Sequence, residues 1–486
     1  MSFTTTSVYG RESGHVTTIP ASDGFRFGIS VTDLDGKILV AKRANERFVP
    51  ASNAKLLVTA AALADEEKLL ALKSDLQLVL EPSASGPPTL ILMGHGDPTV
   101  GIGADCKVRC LETLADAVVK YGVTEVSDIV GDDRTFADEP RPLGWGWDDL
   151  KFGHGTSISA LSINDNVLVM RASPGAKSGA SVTASWFGVS ADFFGLLNEA
   201  TTSDARTPKA LRLERRIGTQ IARLYGELPV GSGPVRLKLG VDDPAYLAAW
   251  YLKRALEAKG VLVSGQLRTR HRPLQYRDEP KVSDLAKQPA RSQCMSDSQR
   301  STEGIIIASL PAAPVQEIVK TINRKSQNLY AEVLLRQLGR SGGRGSSFCG
   351  VLQIEQFLED IGIPRKAFEV ADGSGLSAYN RVTPAMMTTL LRHAAATPWS
   401  EAYRSSLPIS GASSGSLRYR FRGSALEGKV FAKTGTLNHV DALSGYVQAS
   451  SGKMLVFSII VNDRPFNAPS AIGWIDATLL KIAEQY

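Results

Sequence analysis

A serine and a lysine three residues apart, Ser52 and Lys55, stand at the start of an apolar, alanine-rich segment. Pro50 ends an extended approach, and a helix that opens at Ser52 would project both side chains from one face. A serine hydroxyl is a weak nucleophile until a base takes its proton, and a lysine partly stripped of water can be neutral enough to do so. The pair therefore predicts acyl transfer with Ser52 as the nucleophile.

The Ser-x-x-Lys pattern is weak by itself, because a chain of this length should contain it roughly once or twice by chance. A second copy, Ser450 and Lys453, lies between two strand-like segments, so we interpret it as a hairpin turn. For Ser52 taken alone, a helix cap followed by a solvated lysine is the favoured interpretation. The catalytic hypothesis therefore needs partner residues elsewhere.

The composition sets outer limits. With 486 residues, 43% of them hydrophobic, the chain can bury a sizeable core in two or three domains. Its 55 basic and 49 acidic residues give a net charge of +6, but they are interspersed, so we expect no nucleic-acid partner. No apolar run reaches the roughly 18 to 20 residues of a membrane span, and residues 1–10 are too polar for a signal peptide. We expect no transmembrane segment and either a cytoplasmic protein or one whose export signal has been removed.

The four cysteines are informative only in part. The pair Cys106 and Cys110 has no nearby histidine, and it fits a zinc site poorly. Disulfide formation among Cys106, Cys110, Cys294 and Cys349 stays an open alternative.

Local patterns predict the elements that position these residues. Alternating side chains around Asp35-Gly36 predict a hairpin over residues 25–43. Apolar residues at helical spacing predict a buried helix from Ser52 to about Leu70. Further patterns predict helices over 327–338, 349–361 and 470–485, and strands over 430–433, 442–448 and 454–461.

The middle of the chain has a different texture. Short strands with Gly and Pro turns dominate it, together with helices expected over 106–121 and 245–259. We interpret residues 73–267 as an inserted region. Residues 1–72 and 268–486 would then form one discontinuous catalytic domain.

Two later stretches could complete an acyl-transfer site. Ser326 and Asn328 place a hydroxyl and an amide just before an apolar helix. The run Lys433-Thr434-Gly435-Thr436 ends a strand, where its glycine allows a substrate backbone to approach closely. Similar triplets at 162–164 and 177–179 fall within the inserted region, and we interpret them as structural.

The order Ser-x-x-Lys, Ser-x-Asn, Lys-Thr-Gly is typical of penicillin-recognising serine enzymes. Six stretches together resemble the D-alanyl-D-alanine carboxypeptidase/endopeptidase family, the class C low-molecular-mass penicillin-binding proteins (peptidase family S13). The resemblance spans nearly the whole chain, and its large insertion separates this family from the serine β-lactamases. The stretches are Pro50-Ala51-Ser52-Asn53-Ala54-Lys55, Gly94-His95-Gly96-Asp97-Pro98-Thr99, Gly144-Trp145-Gly146-Trp147-Asp148-Asp149, Ser326-Gln327-Asn328-Leu329-Tyr330-Ala331-Glu332, Asp372-Gly373-Ser374-Gly375-Leu376-Ser377 and Lys433-Thr434-Gly435-Thr436-Leu437.

The resemblance implies a fold and a reaction. The fold would be an α/β (α+β) transpeptidase/β-lactamase-like domain, a five-stranded antiparallel sheet with flanking helices, interrupted after the Ser52 helix by two nested smaller, mostly β domains. The reaction would be hydrolysis of the D-Ala-D-Ala bond of peptidoglycan stem peptides, or of the cross-link between stems. It would occur outside the cytoplasmic membrane, in the periplasm or cell-wall space, with β-lactam antibiotics as inhibitors and no metal or cofactor.

The resemblance also implies residue roles. Ser52 would attack the scissile carbonyl with Lys55 as its base. Ser326 and Lys433 would relay a proton to the leaving D-Ala, and Asn328 would hold Lys55 and the substrate amide.

Substrate contacts are implied along the Lys-Thr-Gly strand and at an acidic pair. The charge of Lys433 would attract the terminal carboxylate beside Gly435, with hydroxyls from Thr434 and Thr436. The oxyanion would lie between the backbone N–H groups of Ser52 and Thr436. A side-chain pocket would use Trp147, Asn438 and an acid, Asp149 in preference to Asp148.

Two positions depart from the family pattern, and two other functions stay open. Ala378 stands where many relatives carry arginine, and Asn438 where they often carry glutamine, so recognition of the third stem residue is in doubt. A serine β-lactamase, or a related penicillin-recognising esterase or D-aminopeptidase, is the alternative enzyme. A non-catalytic cell-wall-binding protein would need neither Ser52 nor Lys433.

Overall fold

The computed structural model describes residues 24–188, 193–279, 294, 304–465 and 467–486. Ten α-helices occur among these residues: α1 Lys55–Ala64, α2 Glu66–Ala71, α3 Glu112–Lys120, α4 Pro244–Glu257, α5 Val315–Lys325, α6 Asn328–Ser341, α7 Ser347–Asp360, α8 Pro384–Ala395, α9 Ser400–Ser406 and α10 Ile472–Gln485. The strands are β1 Arg26–Asp33, β2 Ile38–Lys42, β3 Leu76–Glu81, β4 Thr89–Met93, β5 Glu125–Val126, β6 Ile129–Asp132, β7 Val167–Ser173, β8 Thr183–Trp186, β9 Gly195–Asn198, β10 Thr201–Ser203, β11 Ala210–Arg215, β12 Ile221–Pro229, β13 Val235–Gly240, β14 Leu262–Val263, β15 Leu267–Arg270, β16 Ile305–Leu310, β17 Phe368–Glu369, β18 Arg381–Val382, β19 Val430–Leu437, β20 Val440–Gln448 and β21 Met454–Asn462.

Strands from both ends of the described chain form one antiparallel sheet in the order β19-β20-β21-β1-β2. The predicted N-terminal hairpin and the three C-terminal strands are all present in it. β19, which carries Lys433, lies at the edge of this sheet. The five-stranded antiparallel sheet is therefore confirmed.

Helices cover both faces of this sheet. On one face, α1, α6, α7 and α8 bury a core that includes Leu56, Leu335 and Met387. On the other face α10 packs Ile475 and Leu479 against the strands. Apolar α1 is buried along nearly its whole length because α5, α6 and α7 pack against it.

A second five-stranded sheet follows the order β15-β6-β4-β3-β16, and α3 and α4 contribute to its core. Three smaller sheets also lie in the middle of the chain: β13-β7-β8, β10-β12-β11 with β9 added to β12, and the two-stranded β14-β5. This region is mostly β-structure, as expected.

The division into domains stays a prediction, but the pairing of two strands bears on where the inserted region ends. β15 and β16 pair with β6 and β3 respectively, although most of β15 and all of β16 lie beyond the predicted limit at residue 267. These pairings favour a return to the catalytic domain after Leu310.

Two predicted helices have different bounds. The helix expected from Ser52 to Leu70 breaks at Asp65, whose φ of −109° and ψ of 19° separate α1 from α2. The helix expected over 106–121 was wrong at its start: α3 begins at Glu112, because Arg109 has a φ of 56° and a disulfide closes the preceding loop.

The cysteines form two disulfides, Cys106–Cys110 and Cys294–Cys349. The second joins Cys294 to α7, across 55 residues of sequence. Within the described ranges, every helix is too short or too polar to cross a membrane.

Candidate active site

Ser52 lies in a tight turn against which β19 packs at a glycine. The turn is a 3₁₀ segment, Ala51–Ala54, that leads directly into α1. Ala51 has a φ of 48°, a left-handed conformation that alanine rarely adopts. A Cβ on Gly435 would lie 2.7 Å from the carbonyl oxygen of Pro50 and 3.1 Å from the nitrogen of Ser52. Glycine at this position therefore lets β19 lie directly against the nucleophile.

Lys55 is the first residue of α1, and its amine is directed toward Ser52. Nζ donates to Ser52 Oγ at 3.0 Å, to Asn328 Oδ1 at 2.7 Å and to the carbonyl oxygen of Ser374 at 2.5 Å. Lys55 is fully buried. Burial lowers the pKa of Lys55 to about 8, even though the carboxylates of Asp372 and Glu332 raise it. The amine is thus within reach of its neutral form near physiological pH.

A second lysine lies on the opposite side of the site. Lys433 Nζ donates to Ser326 Oγ and to the carbonyl oxygen of Thr434, each at 2.8 Å. Burial, followed by repulsion from Lys55, lowers the pKa of Lys433 well below its usual value. In the described part of the chain no carboxylate forms a salt bridge with Lys433. An incoming anion would therefore meet no competing carboxylate at Lys433 among the described residues.

All five predicted catalytic side chains come together. Ser326 has a φ of 56° at the junction between α5 and α6, and this turn aims its hydroxyl at Lys433. Asn328 opens α6 and connects Lys55 to the carbonyl of His154, which accepts from Asn328 Nδ2 at 2.9 Å. The other Ser-x-x-Lys copy is a turn, as predicted, with Ala449 N donating to the carbonyl of Lys453.

Three predicted substrate-binding residues lie on or just after β19, the strand that carries Lys433. Thr434 donates to Ser416 Oγ at 2.8 Å, and Thr436, which is exposed, donates to Asp441 Oδ1 at 3.3 Å. Asn438 is exposed in the turn after β19.

The acidic pocket lies near Asn328. Asp149 Oδ1 lies 3.0 Å from Nε2 of His154, the residue whose carbonyl binds Asn328. Trp147 is 82% exposed and Asp148 is also exposed, so neither side chain is packed in a preformed cleft.

Sequence reasoning assigned no role to three buried groups that hold Lys55 in place. Glu332 Oε1 accepts from the N–H of Ser374, whose carbonyl binds Lys55. Asp372 accepts from the hydroxyl of Ser374 and from the indole N–H of Trp145. Glu332 lies one helical turn after Asn328, so a buried acid on the same helix face was the available signal.

Comparison with known proteins places the chain in a family. The model of the D-Ala-D-Ala carboxypeptidase 3 (S13) family matches residues 13–289 and 284–479. The D-alanyl-D-alanine carboxypeptidase of Actinomadura sp. (strain R39) is 31% identical over 485 residues, which are 96% of this chain and 82% of that protein. The D-alanyl-D-alanine carboxypeptidase DacB of Haemophilus influenzae is 24% identical over 380 residues, 77% of this chain and 71% of its own length.

The fold has a close counterpart among solved structures. The crystal structure of penicillin binding protein 4 (dacB) from Haemophilus influenzae matches with a TM-score of 0.73 at 22% identity, covering 95% of each chain. The class is therefore that of serine hydrolases with the transpeptidase/β-lactamase-like fold. This chain belongs to the D-Ala-D-Ala carboxypeptidase 3 (S13) family. The resemblance and the fold class that it implied are confirmed.

Proposed function

We propose that this protein is a serine D-alanyl-D-alanine carboxypeptidase and peptidoglycan endopeptidase that works through an acyl-enzyme. The observation that carries the proposal is the buried Lys55 amine, bonded to both Ser52 Oγ and Asn328 Oδ1. Membership of the S13 family supplies the substrate class. Stem peptides and their cross-links would be cleaved outside the cytoplasmic membrane, and β-lactams would acylate the same serine.

In the acylation step, the proton of Ser52 passes to neutral Lys55 as Oγ attacks the carbonyl carbon of the penultimate D-Ala. The C–N bond then breaks, and the leaving amine must gain a proton. Ser326, bonded to Lys433, is the hydroxyl placed to deliver it, and the Lys433 ammonium replaces that proton on Ser326. Exchange with solvent then removes the proton from Lys55 and restores the one on Lys433. Water later attacks the ester, its proton passes to neutral Lys55, and Lys55 returns it to Ser52 Oγ as the acyl–oxygen bond breaks.

The edge position of β19 supports the proposed oxyanion hole. The N–H groups of Val430 and Ala432 point away from β20, because they donate to Ser410 Oγ and to the carbonyl of Pro408. Along a strand, N–H groups alternate between the two sides, so the N–H of Thr436 points to the same free edge. Together with the N–H of Ser52, which lies close to Gly435, it could bind the oxyanion.

Carboxylate recognition would use Lys433, whose Nζ has no carboxylate partner among the described residues. A substrate carboxylate would supply the anion that the described residues lack around Nζ, and its approach would favour the charged form of the amine. Thr434 and Thr436 border this position with hydroxyls.

Two activities separate the proposed function from its alternatives. Release of D-Ala from a stem pentapeptide, combined with slow deacylation after benzylpenicillin, is the expected result. Rapid, repeated hydrolysis of benzylpenicillin without D-Ala release would favour a β-lactamase. Binding to peptidoglycan with neither activity would favour a non-catalytic wall protein.

Acylation should depend on pH through Lys55. The pKa of Lys55 is lowered to about 8, so the neutral base forms as pH rises, and the second-order acylation rate should fall about tenfold per pH unit below that value. The charged groups that face Lys55 are Asp372, Glu332 and Lys433. Because Glu332 raises this pKa, Glu332→Gln should move the inflection to lower pH. Acylation rates measured between pH 5 and 10 test this shift. An inflection at the same pH in the parent and in Glu332→Gln would contradict the assignment of Lys55 as the base.

The side-chain pocket gives a further prediction. A free amine on the third stem residue could pair with half-buried Asp149, for about 1.5 to 3 kcal/mol, roughly ten- to a hundredfold in kcat/KM. Because Ala378 replaces the arginine of many relatives, free and amidated diaminopimelate should be cleaved alike. Peptides with free or acetylated amines, compared in the parent and in Asp149→Asn, measure this. Equal cleavage of the acetylated peptide would exclude this pocket.

A further inference from the structure

An exposed aromatic ring lies between two guanidinium groups near the candidate active site. Tyr419 is 70% exposed, and the guanidinium carbons of Arg418 and Arg422 lie 4.5 and 5.1 Å from its ring centroid. Both arginines are exposed, and neither forms a salt bridge with a carboxylate within the described ranges. We call these three residues the Arg-Tyr-Arg surface.

The fold holds this surface in place. The neighbouring side chains of Leu417 and Phe421 are buried in the core between the β19-β20-β21-β1-β2 sheet and α10. Arg420 points inward and forms a salt bridge with Asp476 on α10, with Nε 3.0 Å from Oδ1. Arg418 and Arg422 are therefore set on an anchored segment. A hydrogen bond from Arg418, followed by the charges of Arg418 and Arg422, lowers the pKa of the Tyr419 hydroxyl.

The Arg-Tyr-Arg surface adjoins the end of the substrate site. Ser416, two residues before Arg418, accepts a hydrogen bond from Thr434, which follows Lys433. Arg418 Nη1 donates to the carbonyl of Gly415 at 3.3 Å. If Lys433 and Thr434 bind the carboxylate of the leaving residue, the next part of the substrate extends toward Ser416 and this surface.

The two proposed reactions differ in the leaving group that would lie at the Arg-Tyr-Arg surface. A carboxypeptidase releases a single D-Ala, which ends at its carboxylate and fills no further space. Cleavage of a cross-link releases the amine of a second stem peptide, whose chain continues and carries further carboxylates. Paired guanidiniums suit carboxylates through charge-assisted, bidentate hydrogen bonds, and the tyrosine ring adds an apolar contact face.

We propose that Arg418, Tyr419 and Arg422 bind the acidic leaving stem of a cross-linked peptide and so favour endopeptidase over carboxypeptidase cleavage. This inference rests on the proposed function. It assigns these residues a part in substrate selection, apart from the acyl-transfer chemistry.

The test compares two substrates in one pair of variants. Arg418→Gln/Arg422→Gln should lower kcat/KM for a purified cross-linked stem-peptide dimer about tenfold, since charge-assisted contacts to carboxylates are lost. Release of D-Ala from the monomeric pentapeptide and acylation by benzylpenicillin should change by less than about twofold. Arg212→Gln/Arg216→Gln, which removes the same charge from exposed positions on and after β11, is the matched control and should leave both substrates unaffected.

Ionic strength gives a second readout. Raising KCl should slow dimer cleavage in the parent and have a much smaller effect in Arg418→Gln/Arg422→Gln. Equal losses on dimer and pentapeptide, an unchanged dimer rate, an equal loss in the control, or a parent that cleaves no dimer would each overturn the inference while leaving the carboxypeptidase assignment intact. A parent that neither releases D-Ala nor is acylated would overturn the proposed function as well.

Discussion

Replacing Lys55 with alanine should slow acylation by benzylpenicillin by about four orders of magnitude, close to the effect of Ser52→Ala. The reason is geometric: Lys55 Nζ is the buried base 3.0 Å from Ser52 Oγ. A nucleophile and its base act as one unit, so losing either removes most of the same rate enhancement. The double variant should be no slower than Ser52→Ala alone. Stopped-flow acylation and D-Ala release measure the effect.

The chain supplies its own control for this experiment. Ser450 and Lys453 repeat the same spacing in the turn between β20 and β21, where the backbone N–H of Ala449 binds the carbonyl of Lys453. Ser450→Ala and Lys453→Ala should acylate at the parent rate. A Lys55→Ala variant that retained more than a few per cent of the parent rate would mean that another group takes the proton of Ser52.

Replacing Lys433 with alanine should lower kcat/KM for the pentapeptide by about a hundred- to a thousandfold, because it removes a carboxylate partner and a support for the proton relay through Ser326. Amidating the substrate C-terminus should harm the parent far more than it harms Lys433→Ala. Lys433→Arg should not rescue turnover, since a guanidinium stays charged and cannot shuttle a proton.

Lys177 provides the matched control for Lys433. It opens the similar triplet Lys177-Ser178-Gly179 but is exposed in the middle of the chain. Lys177→Ala should leave turnover unchanged. Equal sensitivity to amidation in the parent and in Lys433→Ala would show that Lys433 does not meet the substrate carboxylate.

The sequence predicted those parts of the site that have local signals. The apolar repeat after Lys55 predicted α1, although not the 3₁₀ turn that holds Ser52, and strand alternation predicted β19, β20 and β21. The prediction that three distant motifs form one site came from their order and from the family resemblance. Local periodicity does not show that Asn328 Oδ1 lies 2.7 Å from Lys55 Nζ, because that distance depends on how α6 packs against α1.

What the sequence did not predict depends on long-range packing. The carboxylates of Glu332 and Asp372 accept from the N–H and the hydroxyl of Ser374, whose carbonyl binds Lys55, and no spacing rule joins residues so far apart in sequence. The late start of α3 has a local cause that periodicity overlooked. The Cys106–Cys110 disulfide and the left-handed Arg109 keep the preceding residues out of the helix.

The central claim is that Ser52 is the acylated nucleophile. Intact-mass analysis after exposure to benzylpenicillin, followed by peptide mapping, tests it most directly. The account predicts one penicilloyl group per chain, on the peptide that contains Ser52, and no adduct in Ser52→Ala. A label on Ser162, Ser326 or Ser450, or an adduct that persists in Ser52→Ala, would contradict it.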